Sequence, residues 1–526
     1  MGISDRKRSI DVPVSINLDL NQEPKPNQFL IDNNLKGGDF VSRKKSGNVF
    51  AGSKLNVDGQ GIFNVKNITP DLFKKFPKQT PVSGGNPPTP TPTMTQTPTP
   101  TLPPSFISTW QTDNEGVTNN NQIGIVLDSS GTFDFVIDWG DGNTDTITTW
   151  DQPELIHTYD EIGVYTITMT GVIDGFFVGN YYGLGGGDYG KILSVQQWGN
   201  VKLIDFGYQF YHCYNLDLST VNDILDTSNL TDISYMFGEC YGLTTINNIE
   251  LWDVSNIINI STMFYECSLF DQPLNNWDVS NVTNMSAMFY ECSLFDQPLN
   301  NWNVSSVTNM GFMFYACSSF NQPLNNWNVS SVTNMENMFV GTQFNQPLNN
   351  WNVSGVTIMS GMFGASPFNQ NINDWDVSNV LNINLMFEDT PFNQPLSGWN
   401  VSNVTQMYRT FKNSQFNQPI GNWDVSKVTT MNSMFDISLF NQDIGNWNIS
   451  GVTDFSFFMG GKTPLTLSTI NLDAIYNGWS TKNPKPNKII QFGSAKYSSA
   501  SSAGKAILTG STGSGGYGWA INDGGI

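Results

Sequence analysis

The chain has 526 residues, with 39% hydrophobic and only 13% charged side chains and a formal net charge of −21. That length exceeds one ordinary core and predicts several domains, and a composition filled out by Asn, Thr, Ser and Gly excludes a compact helical enzyme. The charge is divided, residues 1–85 carrying 13 Lys and Arg against 8 Asp and Glu, a net of +5, and the remainder a net of −26, which excludes nucleic-acid binding by the acidic body.

Residues 1–80 hold a few alternating segments, at 12–16 and 61–68, broken by Gly, Pro and Asn. They predict a basic, irregular head that attaches the chain to a scaffold. The opening MGISDRKRSIDVPV lacks the apolar stretch of a secretory leader, and Arg6 stands where a myristoylation motif needs Ser or Thr. No segment approaches the ~18 apolar residues of a membrane span. The expectation is a chain with neither export signal nor membrane span. Residues 81–105, PVSGGNPPTPTPTMTQTPTPTLPPS, alternate Pro with Thr; polyproline II is their favoured state, and they read as a semi-rigid linker.

Residues 106–175 read as short strands separated by turns, with Asp141-Gly142-Asn143 between two alternating apolar runs as a hairpin signal. A small β-sandwich is expected there. Trp139-Gly140-Asp141-Gly142, then His157-Thr158-Tyr159, then Gly163-Val164-Tyr165-Thr166-Ile167-Thr168-Met169 resemble the PKD domain pattern in order and spacing. That resemblance implies an Ig-like sandwich serving as a spacer or adhesion module.

Residues 176–250 are expected to lead into and cap a repeat array at its N-terminal end. Within 251–460 the chain repeats itself: Trp recurs at 252, 277, 302, 327, 351, 375, 399, 423 and 447. One unit, residues 320–339, reads FNQPLNNWNVSSVTNMENMF. A single coil of this length cannot offset its ordering entropy, so neighbours must supply backbone pairing and shared core. Residues 332–335 predict a short strand, Met335-x-x-Met338-Phe339 a turn of helix, and Asn-Gln-Pro and Asn-Asn-Trp the corners. These motifs resemble the BspA-like repeats of the DUF285 family, surface repeats of bacteria and some viruses. The resemblance extends over about residues 191–526, and residues 461–526 look like a C-terminal capping segment. It implies a right-handed, leucine-rich-repeat-like solenoid of 24–25-residue coils used in surface adhesion. The fold class expected for the whole is therefore multidomain and β-rich, a PKD-like sandwich followed by that solenoid. Two departures stand out: Thr410 replaces the usual Met before Phe411, and residues 455–459 break the pattern as a terminal coil would.

Chemistry is sparse. Cys213, Cys240, Cys267, Cys292 and Cys317 share one slot of the repeat, and Thr342, Ser366 or Thr390 fills it later; small buried side chains are expected, without disulfide or metal spacing. His157 and His212 belong to different regions, so no catalytic centre is indicated. Gly185-Gly186-Gly187-Asp188-Tyr189-Gly190 fits G-x-G-x-x-G but precedes a strand, and Gly461-Lys462-Thr463 lacks the first Gly of a P-loop. Both are read as loops. Asp138, Asp141 and Asp145 offer a cation site, but their spacing is not that of an EF-hand. No cofactor, metal or catalytic residue is assigned. Residues between the paired Met positions vary from repeat to repeat, which predicts a solvent-exposed face. Phe312, Glu336, Tyr408 and Arg409 are the candidate binding residues there. The function expected is non-enzymatic display: a virion surface or fibre component, docked by its head and contacting a protein or glycan receptor through the solenoid, with no nucleic acid. A bacterial cell-surface adhesin, or a structural spacer without receptor, is the alternative.

Overall fold

The computed structural model describes residues 104–180 and 186–526; the expected head and nearly all of the linker lie outside the described residues, as does Gly185. Between them the described residues share one continuous apolar core running from Phe106 to Trp519.

The N-terminal part is an open, mostly antiparallel sheet. Its strands are β1 (Phe106–Gln111), β2 (Gln122–Gly124), β3 (Val126–Leu127), β4 (Phe133–Asp138), β5 (Thr144–Ile147), β6 (Ile156–Thr158), β7 (Val164–Phe177), β8 (Ile192–Gln197) and β9 (Lys202–Leu203). Five of them run in the order β5-β4-β7-β1-β8, β3 and β9 add to β7, and β2 pairs with β6 in a separate ribbon. Alternation in FDFVID explains β4: Phe133, Phe135 and Ile137 are buried while their neighbours are exposed. The expected hairpin is there, closed by Trp139 N–H on the Asn143 carbonyl at 3.1 Å, with Gly142 at φ +96° where a side chain would be strained. The division expected at residue 175 does not hold. β7 runs on to Phe177, and β8 and β9 pair with β1 and β7, so sheet and lead-in form one hydrogen-bonded body.

From the lead-in onward, successive coils lie parallel. Single bridges step along the chain from Asn259 to Asn284, Asn309, Asn334, Ile358, Asn382, Gln406, Thr430 and Asp454. The expected strand thus contracts to one bridged residue per coil. The turn of helix expected at Met335 to Phe339 is absent, and the reason is visible in the backbone. Two residues four apart in each coil take left-handed φ, Asn337 (53°) and Gly341 (70°) in this one. Their N–H groups donate to the next coil, Asn337 to the Ser360 carbonyl at 2.8 Å and Gly341 to Gly364 at 3.1 Å, while Met335 and Phe339 donate to Ile358 and Met362. An α-helix would close these bonds inside the coil and leave the neighbouring carbonyls orphaned.

Side chains form ladders along the stack. Each corner Asn accepts from the next coil: Asn393 Oδ1 receives the Asn417 N–H at 2.9 Å and Gln418 Nε2 at 3.1 Å. Each Trp from 277 to 447 donates its indole N–H to a carbonyl of the preceding coil, as Trp375 does to Leu348 at 3.1 Å. Thr410 is buried and donates to the Ile383 carbonyl at 3.1 Å, which accounts for its replacing Met.

The last coil is covered by helix α1 (Thr469–Trp479), strand β10 (Ile489–Gln491), helix α2 (Ser502–Thr509) and strand β11 (Ala520–Asn522), which pairs in parallel with β10. Phe455 bridges to Ile490. The ladders end on donors borrowed from the cap: Ser468 N–H and Asn471 Nδ2 reach Asn441 Oδ1 at 2.9 and 2.8 Å, and Trp479 Nε1 reaches the Ile444 carbonyl at 3.0 Å.

Candidate binding face

The varying residues between the paired Met positions, and the two left-handed positions beside them, line one side of the stack. Phe312 sits at a left-handed position (φ 61°), and its N–H donates to the Glu336 carbonyl in the next coil at 2.7 Å. Glu336 Oε1 accepts from Ser360 Oγ at 2.9 Å. Three coils on, Arg409 lies with its guanidinium carbon 4.9 Å from the centre of the Tyr408 ring and Nη1 3.6 Å from Glu388 Oε1. Lys412 reaches the same carboxylate at 3.8 Å. The structure therefore brings the four candidates together as two pairs, Phe312 with Glu336 and Tyr408 with Arg409. All four are half-buried and so only partly exposed on the face where solvent exposure was expected, because the equivalent residues of neighbouring coils stand a single coil spacing away and cover one another.

Sequence reasoning missed a second group on this side. Tyr265 and Tyr290 stack at 4.7 Å, as do Tyr290 and Tyr315. Glu266 and Glu291 follow at the second left-handed position. Burial and then repulsion from Glu266 raise the Glu291 carboxyl above its ordinary value. The signal was present in Tyr265-Glu266-Cys267 and Tyr290-Glu291-Cys292, where attention went to the thiols. At the head of the same row His212 Nδ1 lies 2.6 Å from Glu239 Oε2, and Tyr211 donates to the other oxygen of that carboxylate.

The remaining candidates resolve into structural roles. All five cysteines are free and buried; Cys292 Sγ donates to the Phe264 carbonyl at 3.0 Å, and burial pushes its thiol well up. His157 stacks on Trp139 at 4.8 Å and bonds Asp141 at 2.8 Å, and Trp139 Nε1 donates to Asp145 at 2.9 Å. Burial opposes the Asp141 charge, yet bonds from His157 and Asn143 outweigh it and lower the carboxyl. Asp138 accepts from the Gly140 N–H at 2.9 Å, so Asp138, Asp141 and Asp145 are engaged separately, and no group of three or more His, Cys, Asp or Glu gathers to hold a metal among the described residues. Lys462 is buried, its ammonium on the Ser438 and Phe440 carbonyls at 2.5 and 2.8 Å, so it serves the stack. An open cleft of about 410 Å³ beside β3 and β7 is lined by Leu127, Trp150, Leu155, Ile156, Phe177 and Phe206. No helix among the described residues is long and apolar enough to cross a membrane.

Four overlapping segments, 190–293, 231–343, 324–415 and 365–472, match the family described as "Mycoplasma protein of unknown function, DUF285". Together they span more than half of the chain. The chain belongs to the DUF285 family. The matched DUF285 segments cover the stacked coils and extend into α1, so the family pattern and the inter-coil ladders describe the same residues. No curated protein and no solved structure matches the chain.

Proposed function

We propose that this chain is a non-enzymatic, surface-displayed binding protein, with a leucine-rich-repeat-like solenoid as its binding part and a PKD-like module beneath it. The observation that carries this reading is the division of labour within each coil. Polar groups at the corners bond the neighbouring coils, Asn393 the next one and Trp375 the preceding one, while one side changes its residues from coil to coil. A scaffold that stays constant beneath a changing surface is the arrangement repeat proteins use for recognition. The preferred setting is a virion surface or fibre. It is supported by the order of the parts: a basic head, a Pro/Thr linker and an acidic body. The family's description names Mycoplasma, which favours the second setting, an adhesin on a bacterial surface.

Mass spectrometry of purified particles against cell envelopes tests the setting. Recovery of the intact N-terminus in particles is the expected result. Recovery in envelopes alone selects the adhesin, and absence from both sinks surface display.

A further inference from the structure

Residues 203–408 contain 18 Asp and Glu and not one Lys or Arg. Most of these carboxylates are scattered, but on the early coils Glu239, Glu266 and Glu291 follow one another beside an aromatic and apolar stripe, the first met by His212 and the other two by no such partner among the described residues. Tyr265, Tyr290 and Tyr315 stack face on face, so each turns an edge outward, and the hydroxyls of Tyr265 and Tyr290 hydrogen-bond the Glu266 and Glu291 carboxylates. Leu269 and Leu294, 43% and 50% exposed, lie three residues beyond Glu266 and Glu291, and Tyr241, 43% exposed, continues the line one coil earlier. Solvent-exposed leucines repeated at one slot of consecutive coils make a patch, not scattered surface residues.

The backbone holds the two glutamates in place. Both are left-handed, at φ 60° and 57°, and their N–H groups donate to the Tyr290 and Tyr315 carbonyls at 2.7 and 2.8 Å. Like charges are thereby fixed one coil apart with no Lys, Arg or His in ion-pair reach of either among the described residues. Later on the same side the chain behaves differently: Glu388 is met by both Arg409 and Lys412. Compensation is supplied within the chain at one end of the face and withheld at the other.

We propose that the Tyr265–Tyr290–Tyr315 stripe, with Glu266, Glu291, Leu269 and Leu294, is a docking surface for a basic polypeptide. Lys or Arg heads neutralise the paired carboxylates, and their aliphatic stems cover the leucines. Tyrosine supplies rigid contact area at small entropic cost. A nucleic acid is repelled by this charge. The inference rests on the surface-binding reading above and gives it a face and a partner chemistry.

The test is fluorescence anisotropy of a labelled twelve-residue peptide of alternating Arg and Leu, titrated with the full chain at physiological salt. E266Q/E291Q is expected to weaken binding roughly tenfold and L269S/L294S about fivefold, with melting temperatures checked for each. The control E250Q/D374N removes the same charge elsewhere and is expected to change binding less than about twofold, as distant charges are screened. Equal loss in the control and the stripe variant overturns the proposal, because attraction is then diffuse. Unchanged binding by E266Q/E291Q overturns it too. If the full chain binds intact cells or particles but not the peptide, the basic partner is wrong and surface binding stands; if it binds the peptide through the stripe but no natural surface, the display reading fails alone.

Discussion

Between residues 321 and 447 the corner Asn and Trp of each coil meet their neighbours in the same way, whereas beyond residue 461 the same acceptors are met by different residues on a different backbone. In the interior, Asn417 N–H and Gln418 Nε2 answer Asn393; at the end, Ser468 N–H and Asn471 Nδ2 answer Asn441. In the interior a Trp leaving one corner answers the preceding carbonyl; at the end the Trp comes from the last residue of a helix, Trp479. Stacking fixes where acceptors must be satisfied and leaves open which chain geometry satisfies them. The cap is therefore a chemical copy of a coil without being one.

The largest effect should come from the tryptophans, and the pair W375A and W479A separates interior from cap. Each removes a buried indole and its bond, a loss of about 3–5 kcal/mol. Trp479 also packs on Phe455 at 5.4 Å and Phe458 at 5.7 Å. With nearest-neighbour energetics, W479A should release the last coils first, read as early amide exchange near residues 431–459, while W375A should open protection on both sides of its own coil. Identical exchange maps for the two would mean the cap has no special role.

Next in size is the Asn ladder. N393A leaves the Asn417 N–H without its acceptor, while Gln418 Nε2 keeps the Asn393 backbone carbonyl at 3.1 Å, at a cost of about 2 kcal/mol. N471A removes only donors, because Ser468 N–H still reaches Asn441 Oδ1, and should cost about 1 kcal/mol. Denaturant titration of the two variants checks the ratio; a larger loss for N471A would make the cap the weaker partner of the pair.

This contrast also explains what the sequence revealed. The Trp period and FNQPLNNWNVSSVTNMENMF exposed the coils because identical acceptors in series demand identical donors. They did not expose the backbone of residues 335–341, where the 3–4 spacing of Met335, Met338 and Phe339 imitates a helix. Left-handed residues such as Thr262, Phe312 and Arg409 carry no compositional mark, since inter-coil bonds and not glycine hold them there. Nor did the cap announce its mimicry, for Ser468, Asn471 and Trp479 are spaced by a helix and not by a coil. Of the candidate face, variability found Phe312, Glu336, Tyr408 and Arg409. It passed over Tyr265, Tyr290 and Tyr315 because they recur.

Lys462 gives the comparison a pH handle. Burial lowers its ammonium from the usual 10.5 to about 7, with Asp436 opposing. Between those values the unfolded chain binds more protons than the folded one, so this group makes stability rise with pH, at up to about 1.4 kcal/mol per unit, and the contribution is lost as pH falls to about 7. The five buried thiols are raised in the folded chain, Cys317 among them, and they pull the other way once the unfolded thiols ionise. The window for the lysine is therefore pH 7 to 8.5. The stability difference between the wild type and K462M should change by about 2 kcal/mol across it; a constant difference would mean that Lys462 keeps its proton throughout.

The smallest effect is expected where interior coils already differ from one another. Cys317 Sγ donates to the Phe289 carbonyl of the preceding coil at 2.6 Å, while in the next coil Thr342 Oγ1 turns back to Phe339 of its own coil at 2.8 Å. Ser366, Ser414 and Ser438 do likewise. One slot thus takes a thiol or a hydroxyl by changing which carbonyl it serves, and a neighbouring coil supplies the geometry that serine would adopt. C317S should change stability by less than about 1 kcal/mol, since the hydroxyl exchanges one carbonyl acceptor for another without becoming an unsatisfied buried group. A loss above about 2 kcal/mol in thermal melts would show that the bond to the preceding coil matters at this slot, and that the cysteine coils are locked together in a way the Ser and Thr coils are not.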